Sequence, residues 1–418
     1  MGEKYVGRRV RSRGAGSPAP HGHGHGHGHG PAPELAVGRL PRALLTALLV
    51  VVAVLALVGV AHWWPDADRV DKLKGSMAFS SEGTTYETAS VTKVEPRCTQ
   101  AVGGSDGCGR LHGRLDEGPE RGTAVTVDVP PEVADLGLTT GSRIQLLRQP
   151  AAGGQPAAYS YFGIQRDRPL WLLAAMFALV VVAVARLRGL MALVGLVVAA
   201  GVVGVFMLPA VLSGHPVVPV AIVAAVVIMY VVLYTTHGLS LRTSVALGGT
   251  LAGVGLTALA AWYSVGGARL TGVIDEAGAT LVTQVPALSL QRVLIASVVI
   301  AGLGALNDVT ITQASATWEL RAAAPQMGRV ELFRSSMRIG RDHVASTIYT
   351  LAFAYVGSAL VLLLAVQLYD RPLLDLLGTE EIASEIVRSL AGGIGLVLAM
   401  PITTALATAV VPGPRPAP

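Results

Sequence analysis

Charge is what this sequence has least of. Only 14% of its residues are Asp, Glu, Lys or Arg, against roughly a quarter in a typical soluble domain. A chain that is also 52% hydrophobic is not composed like a water-soluble globule, and it reads as a membrane protein. Aromatic residues are few, at 5%. No basic, aromatic-rich stretch of the RNA-binding kind occurs, so the net charge of +5 does not point to nucleic acid. There is no GxxxxGK[ST] phosphate loop, no HExxH helix and no GxSxG elbow. The chain is therefore not itself a P-loop ATPase, and neither a zinc protease nor a serine hydrolase is supported. Gly302-x-Gly304 is too little for a nucleotide fingerprint. No cofactor is expected, and no motif supports an enzymatic role, which leaves an intramembrane enzyme open. Cysteine is limited to Cys98 and Cys108 in a Gly-rich stretch. Their spacing is wider than a redox C-x-x-C motif, and a loop-stapling disulfide is the expectation if the segment lies outside the cytoplasm.

What is present is long apolar runs. A membrane span needs about 20 predominantly apolar residues, and eight runs qualify: 43–61, 170–185, 189–208, 217–234, 243–265, 287–306, 344–366 and 389–410. The second is short. Alternating them from a cytoplasmic N-terminus puts most loop arginines on one side, including Arg8, Arg39, Arg188, Arg242, Arg321, Arg334 and Arg415. The short loops on the other side keep Arg269, Arg292, Arg371 and Arg388. That bias predicts both termini in the cytoplasm. Residues 43–61 read as an uncleaved anchor rather than a signal peptide, because the apolar run is long and Trp63 and Trp64 follow it as interfacial residues do.

The expected fold is an all-α polytopic membrane bundle of about eight transmembrane helices. A small all-β extracytoplasmic domain is inserted after the first span. Residues 1–42 read as a disordered cytoplasmic tail rich in Gly, Pro and Arg. The tail contains HGHGHGHGHG, in which His21, His23, His25, His27 and His29 either reflect low-complexity drift or loosely hold a metal. Residues 62–169 form the β domain. Residues 123–129 alternate with period two, 143–146 and 159–161 continue the pattern, and Gly- and Pro-containing turns separate them. Residues 170–410 form a seven-helix bundle with a cytoplasmic loop near 313–343, and 411–418 a cytoplasmic tail. Gly249 and Gly253 have the spacing that lets helices approach closely.

One apolar run leads straight into polar residues: 302–321 reads GLGALNDVTITQASATWELR. From Arg292 to Asn307 a helix covers only about 21 Å, less than the roughly 30 Å of hydrocarbon. Either the helix starts earlier, with Asn307 and Asp308 marking its interfacial end, or it continues and carries Asp308 into the membrane. In the second register Asp308, Thr312, Ser315 and Glu319 share one face. An ionisable residue at that depth is a functional candidate. Asp342 and Ser346 share a face at the start of the next span, where Asp342 also reads as a helix cap. His343, Thr347 and Thr350 lie alongside. Between these polar ends, GRVELFRSSMRIGRDH places Arg334, Arg338 and Arg341 on one side of a helix. That pattern suits contact with anionic lipid or with a cytoplasmic protein partner.

The stretch NDVTITQASATWELR, the Arg-containing loop after it, and DHVASTIYTLAFAYVGSALVLLL resemble the YibE/F-like family of bacterial integral membrane proteins. The most specific parts are the acid-and-hydroxyl segment at 307–312 and the run Thr350–Gly357. The resemblance extends over roughly residues 40–410. It implies a multi-pass protein of the bacterial cytoplasmic membrane with eight spans, and it adds no substrate. Two functional readings follow from the residues. One is a transporter of a small solute or ion working through Asp308. The other is a scaffold or accessory subunit that binds partners through the outer β domain and the Arg-rich loop.

Overall fold

The computed structural model describes residues 35–76, 83–95, 109–151, 156–368 and 372–415. Cys98, Cys108 and the histidine tract His21–His29 lie outside the described residues, as does most of the expected N-terminal tail.

Helix α1 (Arg39–His62) is followed by the short α2 (Ala67–Ser76) and then by an antiparallel sheet. Its strands are β1 (Thr85–Glu95), β2 (Arg110–Leu115), β3 (Ala124–Asp128), β4 (Arg143–Gln149) and β5 (Ala158–Ile164), with a helical turn α3 (Pro131–Ala134) between β3 and β4. The strand order β3-β2-β1-β4-β5 curls into a half-barrel around Ala89, Val91, Leu111, Leu115, Ile144 and Leu146. The three strands expected from alternation are β3, β4 and β5. The central pair β1 and β2 was not expected. In β1 the core-facing position before Ala89 and Val91 is Glu87, which breaks the apolar rhythm. Its carboxylate lies 3.5 Å from Arg148 Nε, accepts from Thr85 and Tyr159, and is compensated inside the barrel rather than in water.

The helical part opens with α4 (Asp167–Gly201). A π-helical stretch (Val202–Met207) carries it into α5 (Leu208–Leu212). Pro209 has no N–H to donate and crowds the turn before it, which favours the wider π geometry. Then come α6 (Val217–His237), α7 (Leu241–Gly267), α8 (Glu276–Gln284), α9 (Leu290–Ala323), α10 (Arg329–Ser358), α11 (Leu360–Gln367), α12 (Leu373–Leu377) and α13 (Glu380–Val410). Starts are set by side chains that accept from free backbone N–H groups: Ser240 from Thr243 at α7, Asp275 from Gly278 at α8 and Ser289 from Arg292 at α9. Gly238, at φ 77°, ends α6 in a conformation that favours glycine.

Among the described residues six helical elements are long and apolar enough to cross a membrane, or seven if α10 and α11, bent by 62°, count as one. The difference from eight arises mainly in one place. The runs at 170–185 and 189–208 fall in a single element of 46 residues, Asp167–Leu212, with only Arg186, Leu187 and Arg188 between them. The element is nonetheless broken. Arg186 adopts φ 53°, ψ −133°, a positive φ that side chains rarely take. Just beyond it Gly189 lies against the earlier stretch, where a Cβ would stand 2.5 Å from the Val181 carbonyl oxygen. The core of the bundle is built from α6, α7, α9 and α13, with Leu233, Val245, Leu247, Val299, Leu306, Leu396 and Met400 buried among them. Helix α1 is tied to α6 by Tyr230, whose hydroxyl donates to the Leu49 carbonyl at 2.6 Å.

Candidate functional site

Two helices of the core mesh through small residues. On α7, Gly249, Gly253 and Thr257 recur every fourth residue and share a face. On α13 the matching row is Gly395, Ala399 and Thr403. The rows run antiparallel. A Cβ at Gly249 would stand 1.9 Å from Thr403 Oγ1, one at Gly253 2.9 Å from Ala399 Cβ, and one at Gly395 1.9 Å from Thr257 Oγ1. Each helix thus offers a threonine to the other's glycine, and the backbones close up as small residues permit. Thr403 returns its hydroxyl to the Ala399 carbonyl at 2.7 Å, the usual way a hydroxyl is satisfied within an apolar helix.

Helix α9 lies against this pair and carries two polar faces. Thr310, Gln313, Thr317 and Arg321 are buried. Thr310 shares a hydrogen bond of 2.6 Å with Thr250 of α7. Gln313, 3% exposed, donates through Nε2 to the Ser336 carbonyl of α10 at 3.0 Å and to Thr404 Oγ1 of α13 at 2.7 Å. One amide therefore fastens three helices. Arg321, 2% exposed, donates to the carbonyls of Pro325 and Met327 at 3.1 and 2.7 Å and ties the end of α9 to the loop after it. Arg329 reaches across to the carbonyls of Thr408 and Ala409 at 2.8 and 2.9 Å, a cation on the C-terminal end of α13.

The other face is the one the sequence pattern singles out. Asp308, Thr312 and Glu319 are exposed and Ser315 is half-buried. The structure places this face outside the packed core, not around an enclosed cavity. Asp308, with 61% of its side chain exposed, stands 3.3 Å from Nε2 of His343 on α10. Beside it, Asn307 Oδ1 is buried without a hydrogen-bond partner among the described residues. The polar ends of α9 and α10 thus meet, through His343 and not through Asp342 or Ser346, both of which are exposed. Arg334, Arg338 and Arg341 are exposed on α10 and line a groove against Pro401 of α13.

The pattern at 307–321 shows that the helix carries polar residues and leaves open which of its two polar faces is covered. Thr310, Gln313, Thr317 and Arg321 also follow a helical period, so the signal for the buried face was present. Its partners Thr250, Ser336 and Thr404 come from three other helices and leave no mark in the local sequence.

Apolar helices that mesh through small residues, with polar side chains satisfied between helices, define a helical membrane protein. A family model, YibE/F-like protein, matches residues 173–413, and the chain belongs to that family. The match takes in the bundle from α4 to α13 and leaves out α1 and the half-barrel. Comparison with curated proteins and with solved structures finds no match.

Proposed function

We propose that the chain is a multi-pass protein of the bacterial cytoplasmic membrane, with both termini cytoplasmic, that carries a small solute or ion coupled to a proton held between Asp308 and His343. The observation that carries this reading is the carboxylate–imidazole pair bridging α9 and α10, 3.3 Å apart. Depth supports it. The Thr250–Thr310 bond fixes the register of α9 on α7. Thr250 stands about 14 Å along α7 from Leu241, and Asp308 about 3 Å further, close to half of a hydrocarbon core about 30 Å thick. An imidazole is the side chain whose charge changes within the physiological pH range. A proton arriving at the pair converts carboxylate and neutral imidazole to an ion pair, and a bound cation or a change in helix contact releases it. The break at Arg186 supports counting 167–212 as two spans. With the bent α10–α11 element as one, this gives the eight that place both termini on one side.

The test is proton flux in proteoliposomes containing the purified chain and a trapped pH dye, under an imposed potential or cation gradient. Wild type is expected to move protons, Asp308→Asn to lose most of that flux, and Asp308→Glu to keep part of it. Equal flux in wild type and Asp308→Asn overturns the reading. The exposed edge-to-face pair Tyr86–Phe162 on the half-barrel favours a second reading, a scaffold that docks a partner there. Loss of a co-purifying protein on Tyr86→Ser with Phe162→Ser, with flux absent from wild type, selects it.

A further inference from the structure

Among the described residues, three arginines on α10 have no counter-charge. Arg334, Arg338 and Arg341 face a groove of about 700 Å³ whose far wall includes Pro401 of α13. Arg338 donates to Ser335 Oγ at 3.2 Å. No carboxylate lies within ion-pairing distance of any of the three among the described residues. Glu331, which also lines the groove, and Asp342, one turn from Arg338, are both exposed and unpaired with them.

The three residues stand at successive levels along α10. Arg329 marks the level of the α13 C-terminus through its bonds to Thr408 and Ala409. Measured along α10 from Arg329, Arg334 lies about 8 Å, Arg338 about 14 Å and Arg341 about 18 Å further in. The side chains share one side of the helix, with rises of about 6 Å and then 4.5 Å between them. That spacing lets two guanidinium groups hold one anion, and the fork geometry of arginine suits phosphate oxygens, which it grips in pairs. The groove is within the size range of small-molecule pockets, so it takes a phosphate with an organic group attached.

We propose that this groove is a binding site for a phosphate-bearing anion, with Arg338 and Arg341 on the phosphate oxygens and Arg334 at the outer end drawing the anion in. The phosphate belongs either to a free solute or to a lipid headgroup. The site goes beyond the proton reading and does not depend on it, because binding is measured without flux.

The test uses the full chain purified in a neutral detergent. Inorganic phosphate, phosphatidylglycerol in mixed micelles and phosphatidylcholine as control are added separately. Binding is read by the shift in thermal midpoint and by native mass spectrometry. Phosphate or phosphatidylglycerol is expected to bind, with a salt-sensitive affinity that falls about tenfold or more in R338Q/R341Q. Binding of phosphatidylglycerol alone assigns the headgroup, and binding of inorganic phosphate assigns a free anion. Glu331→Gln removes the groove's own negative charge and is expected to tighten binding about twofold, a gain that a folding defect does not mimic. Binding of neither anion, equal binding of phosphatidylcholine and phosphatidylglycerol, unchanged affinity in a folded R338Q/R341Q, or weaker binding in Glu331→Gln overturns the proposal.

Discussion

The meshing of α7 with α13 makes Gly249→Ala a severe change for one added methyl. The new Cβ would stand 1.9 Å from Thr403 Oγ1, 2.8 Å from its Cβ and 3.2 Å from its Cα. The hydroxyl cannot simply swing away, because it is held at 2.7 Å to the Ala399 carbonyl. Restoring ordinary contact requires the helices to separate locally by roughly 1 Å, or Thr403 to leave its rotamer. Overpacking of this kind costs about 1–3 kcal/mol, and the better helix propensity of alanine returns up to about 1 kcal/mol. The expected net loss is therefore roughly 1–2 kcal/mol. The companion variant G249A/T403G moves the knob from one helix to the other, and is expected to recover about 1 kcal/mol relative to the sum of the single changes. Thermal or denaturant unfolding in detergent, followed by tryptophan fluorescence, reads both; Trp318 is buried in the same core. A Gly249→Ala protein as stable as wild type, or a double variant without recovery, refutes the reciprocal packing.

Three further outcomes follow from the same geometry. Gln313→Leu removes the amide that joins Ser336 and Thr404 and should cost about 1–2 kcal/mol, seen as a lower unfolding midpoint; an unchanged midpoint means the three helices do not depend on it. Arg321→Ala leaves the Met327 carbonyl without its donor and the Pro325 carbonyl with only the backbone N–H of Arg415, and should make the loop at 324–328 the first site cut in limited proteolysis, with the rest of the pattern unchanged. In the half-barrel, Glu87→Gln strips the buried partner of Arg148. Because Glu120 still lies 3.9 Å from Arg148, the loss should be roughly 2–3 kcal/mol, read as faster amide exchange in β1 and β4 of the full chain.

Most of the helices were legible in the sequence, and so were three of the five strands. An apolar run too long for anything but a buried or lipid-facing helix is a local property, and so is alternation along a strand. The strand β1 escaped because Glu87 occupies a core position, and only the fold supplies Arg148 as the compensating charge. The runs at 170–185 and 189–208 are separated in the sequence by Arg186, Leu187 and Arg188, and the structure keeps them in one helical element whose break is a backbone conformation at Arg186.

Composition and periodicity by themselves determined that this chain is helical and membrane-type, that a β domain interrupts it, and that α9 and α10 carry polar residues in helical register. Only the tertiary structure decided which side of α9 is covered, that Gln313 reaches Thr404, that Asp308 faces His343, and that three arginines share one groove. The physical reason is that a helix apolar on nearly every side presents similar surfaces to lipid and to its neighbours. Its period therefore ranks the faces without naming what each one touches.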